Sequence, residues 1–92
     1  MKNVRAHVYV AGMVQGVFFR QNIRRQAQMH NVTGWVRNLP DGRVEAVFEG
    51  EETQVKALLD FCRKGPRGAS VADISVSWEP FKGEFQSFKI AC

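Results

Sequence analysis

The sequence predicts an α+β fold in which one β-sheet carries two helices on the same face. Three observations predict it. Several short stretches repeat apolar residues at every second position, the period of a half-buried strand. Two others repeat them at every third or fourth position, the period of a helix that buries one side. The two kinds succeed one another as β-α-β-β-α-β, followed by a short fifth strand.

Each element has its own grounds. Val4, Ala6, Val8 and Val10 alternate with Arg5, His7 and Tyr9 as the first strand. Gly12 to Gly16 reads as loop. Phe19, Ile23 and Ala27 then recur every four residues, which predicts a helix from about Phe19 to His30 with Arg24, Arg25 and Gln28 outside. Val32 to Asn38 is the second strand. Leu39-Pro40-Asp41-Gly42 is turn chemistry, since proline presets one backbone angle and glycine is free to take a positive one. Val44, Ala46 and Phe48 alternate with Arg43, Glu45 and Glu49, so the chain returns as a hairpin. Glu51-Glu52-Thr53 opens the second helix with negative charge where the helix dipole favours it. Val55, Leu58, Leu59 and Cys62 form its apolar stripe, Arg63 and Lys64 load its last turn, and Gly65-Pro66 stops it. Arg67 to Ser70 is loop. Ile74, Val76 and Trp78 alternate with Asp73, Ser75 and Ser77 as the fourth strand, and Phe88 and Ile90 mark the fifth. This order is that of the ferredoxin-like, split β-α-β sandwich: an antiparallel sheet with two helices on one face.

Ninety-two residues make one domain, taken as residues 1–92, large enough for a core without staples. An apolar content of 45% fits a soluble globule and argues against disorder. No apolar run approaches the length of a membrane span. The segment Met1 to His7 lacks the apolar core of a signal peptide, so the expected location is the cytoplasm. Asn31-Val32-Thr33 matches a glycosylation acceptor that would then stay idle. Cys62 reads as a buried small hydrophobe and Cys92 as an exposed terminal thiol, with no disulfide, nucleophile or zinc site between them. The formal charge of +4 favours an anionic partner without saying which.

The stretch Val14-Gln15-Gly16-Val17-Phe18-Phe19-Arg20 carries the most chemistry. A glycine loop runs into an arginine where a helix begins. Backbone N–H groups from Gln15 to Arg20, a helix N-terminus and a fixed positive charge then face one point, which makes a cradle for a tetrahedral anion such as phosphate. Gly12 and Gly16 are expected to let the backbone approach a ligand closely. Asn38 ends the second strand, and its amide can donate and accept at once. Taken singly, the loop could be a plain turn with a surface arginine, and Asn38 a turn residue bonding locally. His7 and His30 read as ordinary surface residues. There is no acidic pair, no Ser or Cys beside a base, and no lysine of the nucleotide-binding kind. Arginine, asparagine and backbone donors alone suit a reaction whose leaving group departs without a proton.

Together the segments are similar to the two signatures of the acylphosphatase family. The first reads Gly12-Met13-Val14-Gln15-Gly16-Val17-Phe18-Phe19-Arg20, and the second Gly34, Trp35, Asn38, Gly42, Val44 and Gly50. Many members carry a second glycine where this chain has Phe18, and many end near an Ile-Arg or a Tyr where this one ends Ile90-Ala91-Cys92. The resemblance implies hydrolysis of acyl phosphates, with catalytic Arg20 binding the phosphate and catalytic Asn38 orienting the attacking water. It implies a small acyl phosphate substrate, with phosphate or sulfate as product or mimic. No cofactor, metal, nucleic acid or membrane is expected, and the chain is expected to be a monomer. The alternative is an RNA-recognition-type module with the same element order. It fails on the third strand, where stacking aromatics are expected and Phe48 shares the parity of the core. Glu45 and Glu49 on that strand would repel a phosphate backbone.

Overall fold

The computed structural model describes residues 2–91. Its elements are β1 (Asn3–Met13), α1 (Phe19–Met29), β2 (Thr33–Asn38), β3 (Val44–Glu51), α2 (Glu52–Lys64), β4 (Ser70–Glu79) and β5 (Phe88–Ile90). The sheet order is β4-β1-β3-β2-β5. Four strands pair antiparallel as expected, while β5 joins β2 in parallel, so the sheet is mixed. Some boundaries move. β1 runs on to Met13, into the stretch read as loop, β4 begins at Ser70, inside the expected loop, and α1 stops at Met29, before Asn31 turns left-handed (φ 55).

The core lies between the sheet and both helices. Phe19, Ile23 and Ala27 of α1 and Val55, Leu58, Leu59 and Cys62 of α2 are buried against Val8, Val10, Val36, Ala46 and Phe48. The Phe48 and Phe88 rings stack with centroids 5.7 Å apart, which ties the short β5 to the core. Cys62 is buried as read, and burial pushes its thiol up to about 12, so it is inert near neutral pH. Cys92 lies outside the described residues. Trp78, placed on the apolar side of β4, is 51% exposed at the strand's end.

The other face of the sheet differs more from the reading of the sequence. Glu45, Glu49 and Arg5 are buried there. The segment 80–87 packs on Arg5 and Glu49, while Glu45 is engaged by His7 and Arg37. The Lys82 N–H donates to Glu49 Oε2 at 2.8 Å, Arg5 Nη1 donates to Glu84 Oε1 at 2.6 Å, and the Arg5 guanidinium lies 5.3 Å from the Phe85 ring centroid. Arg5 also reaches Glu49 at 3.2 Å and Glu79 at 3.0 Å. Burial acts to lower the Arg5 pKa, but its carboxylate partners outweigh that and leave it raised. His7 is not an ordinary surface residue. Its ring nitrogens sit 2.6 Å from Glu45 Oε2 and 3.2 Å from Glu79 Oε2.

Candidate active site

β1 and β2 both run antiparallel to β3, and β5 runs parallel to β2. The C-terminal ends of β1, β2 and β5 therefore meet at one edge of the sheet. The loop after β1 leads directly into α1, so the helix N-terminus arrives at the same edge. This topology gathers three segments that are far apart in sequence.

They enclose an open concavity of ≈ 340 Å³ lined by Val14, Gly16, Phe18, Phe19, Arg20, Gln21, Asn38 and Ile90. Arg20 and Asn38, picked from separate motifs, line the same space. Val14 of the first motif joins them, as do Gln21 and Ile90, which had not been assigned to the site. Ile90 arrives through β5, continued by the Ala91 N–H donating to Val36 O at 2.8 Å. Val17 does not line the concavity and packs instead against the core.

The loop's backbone departs from ordinary turns. Gly16 has φ 76 with open space where a Cβ would stand, so its backbone angle rather than crowding is what favours glycine. Phe18 is left-handed as well (φ 58, ψ 26) and occupies the N-cap of α1 without a capping side-chain bond. No acidic residue stands in the first turn. The N–H groups of residues 15–21 find no acceptor among the described residues. An uncapped, undischarged helix N-terminus leaves its orphan donors and partial positive charge to whatever enters the concavity. Gly12 has a different role from the one expected. A Cβ there would lie 2.3 Å from Ser70 O, so this glycine serves the close approach of β4 where the β1–β4 register shifts and Ala72 of β4 is the extra residue.

Gln15 contributes more than an N–H. Its Nε2 donates to Leu39 O at 2.8 Å and Arg43 O at 2.9 Å, the two carbonyls that close the β2–β3 turn just beyond Asn38. The side chain therefore clamps the loop to the segment that places Asn38. The sequence carries no local signal for this link.

Two charge states matter at this edge. Arg20 makes no ion pair among the described residues. Asn38 Oδ1 is buried and has no hydrogen-bond partner there either. A buried unpartnered acceptor is costly unless a donor reaches it. The histidines stand elsewhere: His7 on the far face of the sheet and His30 beside Gln54 at the other end of α1, at 2.6 Å.

A larger concavity of ≈ 530 Å³ lies over β2 and β5, with Trp35, Arg37, Phe85 and Lys89 among its lining. Arg37 is already engaged there by Glu45 at 2.7 Å and by the Trp35 ring at 5.3 Å. It has no uncapped helix terminus, so the smaller concavity is the candidate site.

A family model described as Acylphosphatase matches residues 6–90. The chain belongs to the acylphosphatase family. A relative named Acylphosphatase from Syntrophus aciditrophicus is 57% identical over 86 residues, covering 94% of this chain and 90% of its own. One of the same name from Pyrobaculum islandicum is 53% identical over 91 residues, covering 98% and 96%. The crystal structure of acylphosphatase from Bacillus subtilis superposes with a TM-score of 0.93 at 32% identity, covering 97% of this chain and 99% of that one. The chain is thus an acylphosphatase-family enzyme, a hydrolase. The RNA-recognition reading is not favoured by these likenesses.

Proposed function

We propose that this enzyme hydrolyses acyl phosphates to a carboxylate and inorganic phosphate by direct attack of water, with Arg20 and Asn38 as its catalytic residues. Acylphosphatase relatives at more than half identity support the reaction class. One observation carries the assignment of roles: Asn38, whose buried Oδ1 has no partner among the described residues, lines the same concavity as Arg20 and an uncapped helix N-terminus.

The phosphate sits on the loop. The free N–H groups between Gln15 and Arg20 and the Arg20 guanidinium donate to its oxygens, and a planar guanidinium grips two at once. A water held by the Asn38 side-chain amide turns its lone pair toward phosphorus. The water oxygen–phosphorus bond forms as the bond from phosphorus to the acyl oxygen breaks. That electron pair leaves with the carboxylate, so the acyl phosphate dianion and water give a carboxylate and dihydrogen phosphate. A carboxylate departs unprotonated because its conjugate acid has a pKa of about 4. A loose phosphoryl transition state asks mainly for positioning and charge stabilisation, which these groups supply. The lining residues include no His, Cys, Asp or Glu, so the reading assigns no general acid, nucleophile or metal. The same reading takes the enzyme to be a cytoplasmic monomer acting on a small substrate, with no nucleic acid or membrane partner and with sulfate able to mimic phosphate.

The test is an assay with benzoyl phosphate and a phosphate monoester, each with and without EDTA. Expected are hydrolysis of the first only and no effect of the chelator. Arg20→Ala abolishes activity together with phosphate inhibition, and Arg20→Lys restores little. Asn38→Ala loses turnover while phosphate inhibition persists. Near wild-type rates in Arg20→Ala, or activity lost to EDTA and restored by a divalent metal, would overturn the reading.

A further inference from the structure

Phe18 is costly where it stands. Its left-handed backbone disfavours any residue with a Cβ, and its ring is 71% exposed, outside the core that Phe19 enters beside it. The conformation is held firmly, since its carbonyl accepts from the Asn22 N–H at 3.0 Å and from Asn22 Nδ2 at 2.9 Å. Glycine would take the same angles without strain and expose no apolar surface. Nothing in the packing accounts for an aromatic ring here. What the ring does have is a place on the concavity, where Val14 and Ile90 are also apolar while Arg20 and Asn38 are polar.

The reaction accounts for it. The acyl group departs opposite the attacking water and must extend out of the shallow cradle, past its rim. We propose that Phe18 is a specificity-determining residue whose exposed ring receives the acyl group, so that the enzyme favours aromatic and extended apolar acyl phosphates over acetyl phosphate. This rests on the acyl phosphate reading above. The contact is an open platform rather than an enclosed pocket, so its effect is on the order of 10-fold.

The test compares kcat/KM for benzoyl and acetyl phosphate in the wild type, Phe18→Gly, Phe18→Leu and Phe18→Tyr. The ratio within each protein, set against the wild-type ratio, cancels the intrinsic reactivity of the two substrates. The benzoyl-to-acetyl ratio falls about 10-fold in Phe18→Gly, falls less in Phe18→Leu and persists in Phe18→Tyr. The melting temperature of Phe18→Gly is equal or higher because strain is relieved. An unmoved ratio in Phe18→Gly, or an equal loss on both substrates, overturns the inference while leaving the acyl phosphate reading in place. A wild-type enzyme that cleaves neither substrate overturns that reading and this inference with it.

Discussion

Gln15 offers a direct test of how the site is assembled. Replacing it with alanine removes two hydrogen bonds, to Leu39 O and Arg43 O at 2.8 and 2.9 Å. Neither carbonyl is left orphaned. Leu39 O still accepts from the Gly42 N–H at 3.1 Å, and Arg43 O from the Leu39 N–H at 2.8 Å. The loss is thus two net hydrogen bonds rather than two buried desolvation penalties, about 1–2 kcal/mol in all. For a domain of this size that lowers the melting temperature by about 4–16 °C. The larger effect falls on turnover. The clamp fixes the phosphate loop relative to the turn after Asn38, and misplacement by about 1 Å can cost about 100-fold in rate. Gln15→Ala is expected to lose about 10- to 100-fold in kcat with phosphate inhibition weakened much less. Gln15→Glu, of the same shape but without donors, behaves no better, because a carboxylate faces the two carbonyls. Urea unfolding and steady-state kinetics with benzoyl phosphate read both effects. Wild-type stability and kcat in both variants would refute the clamp. Lost stability with intact kcat would show that it holds the fold and not the site.

Two further predictions concern charge. Burial pushes the Glu45 carboxyl up, but hydrogen bonds from His7 and Arg37 outweigh it and hold it below 4.5, and Arg5 and then His7 lower Glu79 likewise. A depressed carboxyl contributes stability above its unfolded value that is lost as pH falls through the folded one. The urea midpoint should therefore drop as pH is lowered from 5 toward 3, and Glu45→Gln should flatten that drop; an equal slope in both proteins would refute it. In the second, α1 carries Arg20, Arg24 and Arg25 and no acidic residue, so it presents an attractive field to an anionic substrate. kcat/KM should fall several-fold between low and physiological ionic strength, and Arg24→Gln with Arg25→Gln should flatten that dependence while leaving kcat unchanged.

The helices and inner strand faces were legible because burial there repeats with a period. Val55, Leu58, Leu59 and Cys62 all point inward, as their spacing requires. The outer face was not, because its cover is the aperiodic segment 80–87. A signal was present all the same: Arg5 stands directly across from Glu49 on β3 and from Glu79 on β4. Such pairs can be sought only once the strand order is known, and the order is a long-range property. The same holds for the site. Arg20 and Asn38 were legible singly, through a glycine loop and a strand end. Ile90 and the Gln15 clamp were not, since both depend on which strand ends share an edge of the sheet. Gly12 was read for a ligand because it sits in the loop motif, yet its missing Cβ makes room for Ser70 O.

The distribution of unmet polar demand separates structure from site. Two buried side-chain atoms among the described residues lack a partner, Glu49 Oε1 and Asn38 Oδ1. The first belongs to a carboxylate whose other oxygen takes the Arg5 guanidinium and the Lys82 N–H, so its charge is compensated within the fold. The second belongs to a neutral amide at the rim where, among the described residues, α1 also leaves its N-terminal donors uncapped and Arg20 without an ion pair. The strained Phe18 backbone stands at the same rim. Donors, a cation and an acceptor left over at one edge suit the bound anion and attacking water proposed above. Natural proteins keep such local conflicts where function requires them. The coincidence of four at the ends of β1, β2 and β5 is therefore stronger support for this site than any one of its residues, because each alone would be removed by a cap, a pairing acid or a glycine.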